Sequence, residues 1–512
     1  MIRELPSGVD VAIVGSGPTG AAYARILSEL RPDLTIATLE VGPQVSDPPG
    51  AHVKGIADEL ARTVAQHRSE GPTEPAADGR LRRPGTFLLS EGFRREGEDG
   101  IPSAAMSSNV GGMGAHWTCA CPRPGDSERI PFVDGFDELL DEGERLLGVS
   151  RHAFDSAPFA DEVRRRLSAE FDDGRPAERR VQPMPLAVSL ADDGTVTWSG
   201  ADVVFGDVTR DNPNFTLYAD ALVRRVLVVD GRTVGLSVLD TTDGSEHEVS
   251  AAEVVVAADA LRTPQLLWAS GVRPVALGRY LNDQAQLIHA VRLRDVETSR
   301  LTEVDPRGRT AVVKQSGVSW VPFTDSEPFH GQVMQLDASP VPLGPGDVPE
   351  PGSIVGLGWF CAKELSAEDR VTFDDATVDG YGMPAMTLHY LLTDADHATF
   401  EAAKNAIKRA ASALGEPLDA EPIALPGGAS LHYQGTVRMG VEDDGTSVCD
   451  PTSRVWGVAG LRVAGNGVIP TSTACNPTLT SVALAVAGAR DIARTLRTSH
   501  PVQRPIHEEA RP

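Results

Sequence analysis

The stretch "VDVAIVGSGPTGAAYARILSEL", residues 9–30, constrains this chain more than any other. The run from Val9 to Val14, apolar except at Asp10, shows no regular alternation, as expected of a strand buried on both faces of a parallel sheet. A glycine pattern, Gly15-Ser16-Gly17-Pro18-Thr19-Gly20, and an apolar helix follow it. Gly15 makes the tight turn, Gly17 lets backbone approach a pyrophosphate, and Gly20 permits close packing of helix on strand. The helix N-terminus then presents its positive dipole end to phosphate. A second strand, "LTIATLE", ends at Glu40, twenty residues beyond Gly20, where a carboxylate can hydrogen-bond a ribose. The fold class that follows is α/β, with a Rossmann-like dinucleotide-binding domain. An acid at position 40 disfavours NADP but does not separate NAD from FAD.

The chain of 512 residues has room for further domains. Expected are a nucleotide domain assembled from residues 1–155, 198–285 and 426–500, with an excursion over 44–106. A sheet-based α+β substrate domain is expected from 156–197 and 286–425, the latter Pro-rich and read as strands with long loops, and 501–512 as a tail. "EVVVAADALRTPQLLWASG" (253–271) again reads as strand, turn and helix, and "VDGRT" as a hairpin turn. A net charge of −25 repels a nucleic-acid backbone, so no nucleic-acid partner is expected. No apolar run approaches the ~20 residues of a membrane span, and nothing resembles an export signal, which makes the cytoplasm the expected location. Five cysteines are too few for a disulfide scaffold, and no spacing of His, Cys, Asp or Glu implies a metal site.

Three segments are dense in unusual residues. "SLHYQGTVRMG" places His432 before a Gly-Thr turn, and "ACNPTLTSVALA" places Asn476 before Pro477 at the start of a helix. Asn476 is suited to capping that helix and Pro477 to its first turn, so a structural role stands beside a catalytic one. In "SSNVGGMGAHWTCACPRP", His116 is open to three roles: metal ligand, covalent tether or buried core residue.

These segments, with "AADALRTPQLLWASG" and "GRYLNDQ", occur in the order found in the glucose-methanol-choline (GMC) oxidoreductase family, which the chain resembles over nearly its whole length. The forms "GGMGAHWT" and "LHYQGTVRMG" are most like its sugar-oxidising branch, the pyranose 2-oxidases and bacterial C-glycoside 3-oxidases. The resemblance selects FAD. It implies that Glu40 binds the adenosine ribose and that Val223 offers backbone atoms to the adenine. Gly465 and Asn466 would adjoin the pyrophosphate and ribityl chain, Thr478 would be a further cofactor contact, and Gly112, Met113 and Thr118 would line the isoalloxazine. His116 matches the family's tether histidine, which leaves a covalent link and an unlinked flavin contact both open.

His432 and Asn476 match the family's catalytic pair. An imidazole, with an ordinary pKa of about 6.5, suits removal of a hydroxyl proton, while a non-titrating amide can hold the alcohol oxygen throughout. The implied reaction oxidises a secondary ring hydroxyl, at C3 or C2, of a pyranose or glycoside. Hydride passes to flavin N5, and dioxygen or another acceptor reoxidises the cofactor. Gln335 and Asp337, in "HGQVMQLDASP", would share one strand face and meet sugar hydroxyls. Pro340 and the following "VPLGPGDVPEPGS" depart from the aromatic-containing loop of the fungal sugar oxidases, which brings in glycosides oxidised at C3. The alternative is a GMC oxidase acting on a sterol- or choline-type alcohol.

Overall fold

The computed structural model describes residues 4–68, 86–88, 100–155, 157, 159–191, 196–296, 317–336 and 353–497. Strand β1 (Gly8–Val14) leads through the glycine turn into helix α1 (Pro18–Leu30) and strand β2 (Ile36–Leu39). β1 lies between two parallel neighbours, with Val11 opposite Ile36 of β2 and Ala12 opposite Val254 of the strand Glu246–Val256. Phe215–Tyr218 extends the parallel array beyond β2, and Leu461–Val463 adds to it beside Glu246–Val256. The hairpin Ala221–Val229 and Arg232–Asp240 completes this sheet on an antiparallel edge. Val11, Ala12 and Ile13 are buried completely, as expected of the central strand of a covered parallel array. The fold is therefore α/β with a Rossmann-like core.

The second large sheet is antiparallel and runs Gly415–Pro417, Ala285–Leu293, Ile354–Cys361, Phe329–Leu336, Val318–Val321 and Gln182–Pro183. Helices Ala160–Phe171 and Asp394–Leu414 cover one face of it. Phe329, Val333, Leu357 and Trp359 point into that layer, against Leu167, Ile407 and Ala410. Successive strand residues alternate faces, so His330, Gln332 and Phe360 belong to the other side.

The helix Asp394–Leu414 corrects the sequence reading of 286–425 as strands and loops. A capping box starts it: the Thr393 side chain accepts from Asp396 N, and the Asp396 carboxylate accepts from Thr393 N. Among the described residues no helix is long and apolar enough to cross a membrane, and no group of three or more His, Cys, Asp or Glu is placed to hold a metal.

Candidate active site

A long cavity runs from the glycine turn to His432 and Asn476. At its first end Gly15, with φ of 102°, stands where a Cβ would collide with the Ala257 carbonyl, so the turn admits only glycine. A Cβ at Gly20 would collide with the Gly15 carbonyl, which is the close helix-on-strand packing expected of that glycine. Gly15 and Gly17 line the cavity, and no side chain caps the start of α1. Its first amides therefore remain available to an anion.

Glu40 also lines this end. Its carboxylate accepts from the Ser16 amide (3.0 Å) and hydroxyl (2.7 Å), and from Gly42 N (3.2 Å). Burial raises its pKa, and the hydrogen bonds from Ser16 and Gly42 oppose that rise. Ser16 Oγ in turn accepts from Gly111 N at 2.8 Å, joining the first glycine turn to the turn that begins the Gly112–Ala115 segment. Sequence reasoning passed over Ser16 because it occupies a variable position of the glycine pattern.

Val223, Gly112, Met113, Thr118, Gly465, Asn466 and Thr478 all line the cavity. Asn466 is held by a hydrogen bond from Ser481 Oγ to its Oδ1 (2.9 Å). His116 is not among the lining residues. Its Nε2 lies 2.8 Å from Asn109 Oδ1, whose orientation is set because Asn109 Nδ2 donates to the Val110 and Gly112 carbonyls. Nε2 therefore carries the proton and donates. Nδ1 is buried with no hydrogen-bond partner, and burial lowers the imidazole pKa to about 3.

At the far end His432 and Asn476 both line the cavity, with Asn476 Nδ2 3.3 Å from His432 Nε2. Asn476 does not cap its helix: the cap position of Thr478–Thr495 is Pro477, and no side chain caps it. The amide is instead aimed across the cavity, its Oδ1 accepting from Gln332 Nε2 at 2.6 Å. The turn before Asn476 is pinned by the buried Glu128, which accepts from Ala474 N (2.7 Å), Cys475 N (2.9 Å) and Gly125 N. Burial raises the Glu128 pKa despite those three donors.

His432 follows Leu431, a non-glycine residue at φ 61°, in the sparsely populated left-handed region. The loop that holds it there is tied to Asp283, which accepts from Gly428 N (3.0 Å) and from the Ser430 hydroxyl. Behind the His432 ring stands Phe360, at 5.3 Å between centroids. His330 stacks on the other side of Phe360 at 5.2 Å. His330 is completely buried, accepts at Nδ1 from Trp320 Nε1, and has its pKa lowered to about 3 by burial.

The structure does not bring Gln335 to this cavity. Gln335 shares a face with Phe329 and Val333, the face turned toward the helices, and its Oε1 lies beside Gly317, which packs against Ala157 and Ala160. Asp337 lies outside the described residues. The strand reaches the site through Gln332, one face away from the expected pair.

With this geometry in place, the chain can be set beside known proteins. Models of the GMC oxidoreductase family match residues 192–286 and 366–485. The C-glycoside 3-oxidase of Microbacterium trichothecenolyticum is 63% identical, covering 96% of this chain and 98% of that one. The pyranose 2-oxidase of Tricholoma matsutake is 32% identical, covering 97% and 95%. The chain belongs to the GMC oxidoreductase family. In fold it is similar to the solved pyridoxine 4-oxidase from Mesorbium loti, with a TM-score of 0.68 at 20% identity over 95% of this chain and 100% of that one.

GMC oxidoreductases bind FAD, and the residues present fit that group. A Cβ at Gly465, whose φ is 96°, would meet nothing within 4 Å. At Gly17 it would meet only the Gly111 carbonyl at 3.9 Å. Both glycines thus leave open space on the cavity side, between an uncapped helix end and a ribose-type acid, as a bulky phosphorylated cofactor requires.

Proposed function

We propose that this GMC oxidoreductase oxidises the C3 hydroxyl of a glycoside to a ketone, with His432 as the base. What carries the reading is the juxtaposition of His432 Nε2 and Asn476 Nδ2 at the cavity wall, in a chain 63% identical to a C-glycoside 3-oxidase. Gly15, Gly17 and the α1 N-terminus would hold the FAD pyrophosphate, Glu40 and Val223 its adenosine, and Gly112, Met113 and Thr118 its ring. Bound FAD would supply the two-electron acceptor for the substrate hydride, to be regenerated by dioxygen, giving hydrogen peroxide, or by another acceptor. His432 Nε2 takes the hydroxyl proton, so that the alcohol carbon releases hydride from an alkoxide-like state. Asn476 Nδ2 donates to the substrate oxygen and strengthens that bond as negative charge grows there. Gln332 holds Asn476 in the required orientation.

The same reading has FAD bound without a covalent link, because His116 commits Nε2 to Asn109 and stands off the cavity. Acid precipitation tests this: colour in the supernatant supports it, and colour in the pellet overturns it. The substrate is tested by anaerobic flavin reduction across glucose, O-glucosides and C-glucosides, with NMR of the product. A ketone at C3 of a glycoside is expected. A ketone at C2 of free glucose, or bleaching only by sterol- or choline-type alcohols, overturns the assignment.

A further inference from the structure

The "GRYLNDQ" segment, whose Asp283 ties down the loop before His432, also supplies the partner of the His432 ring. Gln284, buried at 2% exposure, places Oε1 at 2.7 Å from His432 Nδ1. An amide can present either end, and here the choice is forced. Gln284 Nε2 donates to two backbone carbonyls, Thr473 O at 3.0 Å and Cys475 O at 2.9 Å. Turning the amide over would set its oxygen against two acceptors and lose both bonds. The carbonyl end must therefore face the imidazole, and only a protonated Nδ1 can bond to it. A neutral imidazole has one N–H, so Nε2 is left as the acceptor.

The opposite side of the ring agrees with this assignment. Asn476 Oδ1 already accepts from Gln332 Nε2, which turns Asn476 Nδ2, a donor, toward His432 Nε2. The two amides thus present an acceptor to Nδ1 and a donor to Nε2. Gln284 also ties the two halves of the site together, because the carbonyls it holds belong to the turn that carries Asn476.

We infer that Gln284 is a positioning residue that locks His432 in the Nδ1–H tautomer, so that the nitrogen facing the cavity is the one able to accept a proton. The inference rests on the reading of His432 as the base. It assigns Gln284 the place that an orienting carboxylate takes behind a catalytic histidine, without the charge: the tautomer is fixed while the imidazolium gains no ion pair.

The test is the ring-nitrogen NMR spectrum of the holoenzyme labelled with ¹⁵N-histidine, at a pH where the ring is neutral, with His432→Ala identifying the resonances. Wild-type protein is expected to show a protonated Nδ1 and an unprotonated Nε2. Gln284→Met, similar in volume and unable to hydrogen-bond at that end, is expected to populate the Nε2–H form. Its flavin should stay bound, and anaerobic flavin reduction should slow by roughly tenfold, short of the 10²–10⁴-fold attributed to a general base. A wild-type spectrum with protonated Nε2 overturns the inference even if Gln284→Met does not fold. So does an unchanged tautomer in a folded Gln284→Met. If His432→Ala reduces flavin at the wild-type rate, the base assignment fails instead, and the tautomer spectra still decide the part played by Gln284.

Discussion

The two ends of the cavity are built on opposite plans. The core of the phosphate end comes from one run of chain, residues 8–40, in which a strand, a turn, a helix and a second strand follow without interruption. The catalytic end is assembled from distant pieces. His432 meets Gln284 across 148 residues and Asn476 across 44, and Asn476 meets Gln332 across 144. Local backbone geometry specifies the first end, while the second depends on the register of a sheet and on hydrogen bonds between separate loops. Damage to the first should therefore remove the cofactor, and damage to the second should spare it.

The largest effect belongs to the glycine turn. Gly15→Val forces a branched side chain into a left-handed position against the Ala257 carbonyl, and overpacking of that kind costs about 1–3 kcal/mol. The purified variant should lack flavin absorbance, lose all activity and unfold at lower temperature. Full flavin content would break the comparison at its first end.

Next comes the proposed base. His432→Ala should bind flavin normally and slow anaerobic flavin reduction by about 10²–10⁴-fold, equivalent to roughly 3–5 kcal/mol. Loss of flavin together with activity would mean that the two ends are not separable.

How much of each end was legible in the sequence follows the same division. Gly15, Gly17, Gly20 and Glu40 could be placed because a parallel strand, a tight turn and a helix end leave few alternatives over so short a span. His432 and Asn476 were found through resemblance, since their residue types alone left Asn476 as a helix cap; Pro477 takes that position in the structure. Gln284, Glu128 and Asp283 gave no local signal, because their value lies in which loops they join. The helix Asp394–Leu414 did carry one, in Thr393 and Asp396, which a reading for Pro-rich strands overlooked. Gln335 shows the limit of a period of two: alternation tells which residues share a face, not which face meets the site.

Asp283 offers a smaller effect, on stability. Burial raises its pKa to about 6 against an ordinary 3.8. A carboxyl raised in this way contributes stability that is complete below about pH 4 and lost as pH rises through 6. Asp283→Asn remains neutral throughout and should remove that decline. Thermal unfolding of wild type and variant at pH 4, 5 and 6 is expected to converge toward pH 4 and separate by pH 6, the wild type being the one that falls. Parallel curves would show that the tie between Asp283 and the 428–430 loop does not depend on protonation.

The smallest effects separate the two faces of one strand. Gln332 donates to Asn476, and Gln335 lies among residues next to the helices, so the two glutamines of Phe329–Leu336 test which face the chemistry uses. Gln332→Met removes one hydrogen bond, worth about 0.5–1.5 kcal/mol net, and lets the Asn476 amide rotate. A fall of up to roughly tenfold in kcat/KM is expected, carried by kcat, because the lost constraint acts on an interaction that strengthens in the transition state. Gln335→Met should lower the unfolding temperature and leave kcat/KM for the same glycoside unchanged. The reverse pattern would place the substrate on the Gln335 face. Equal losses in both would mean that the strand acts as a rigid unit, its two faces coupled through the backbone and not read separately by the substrate.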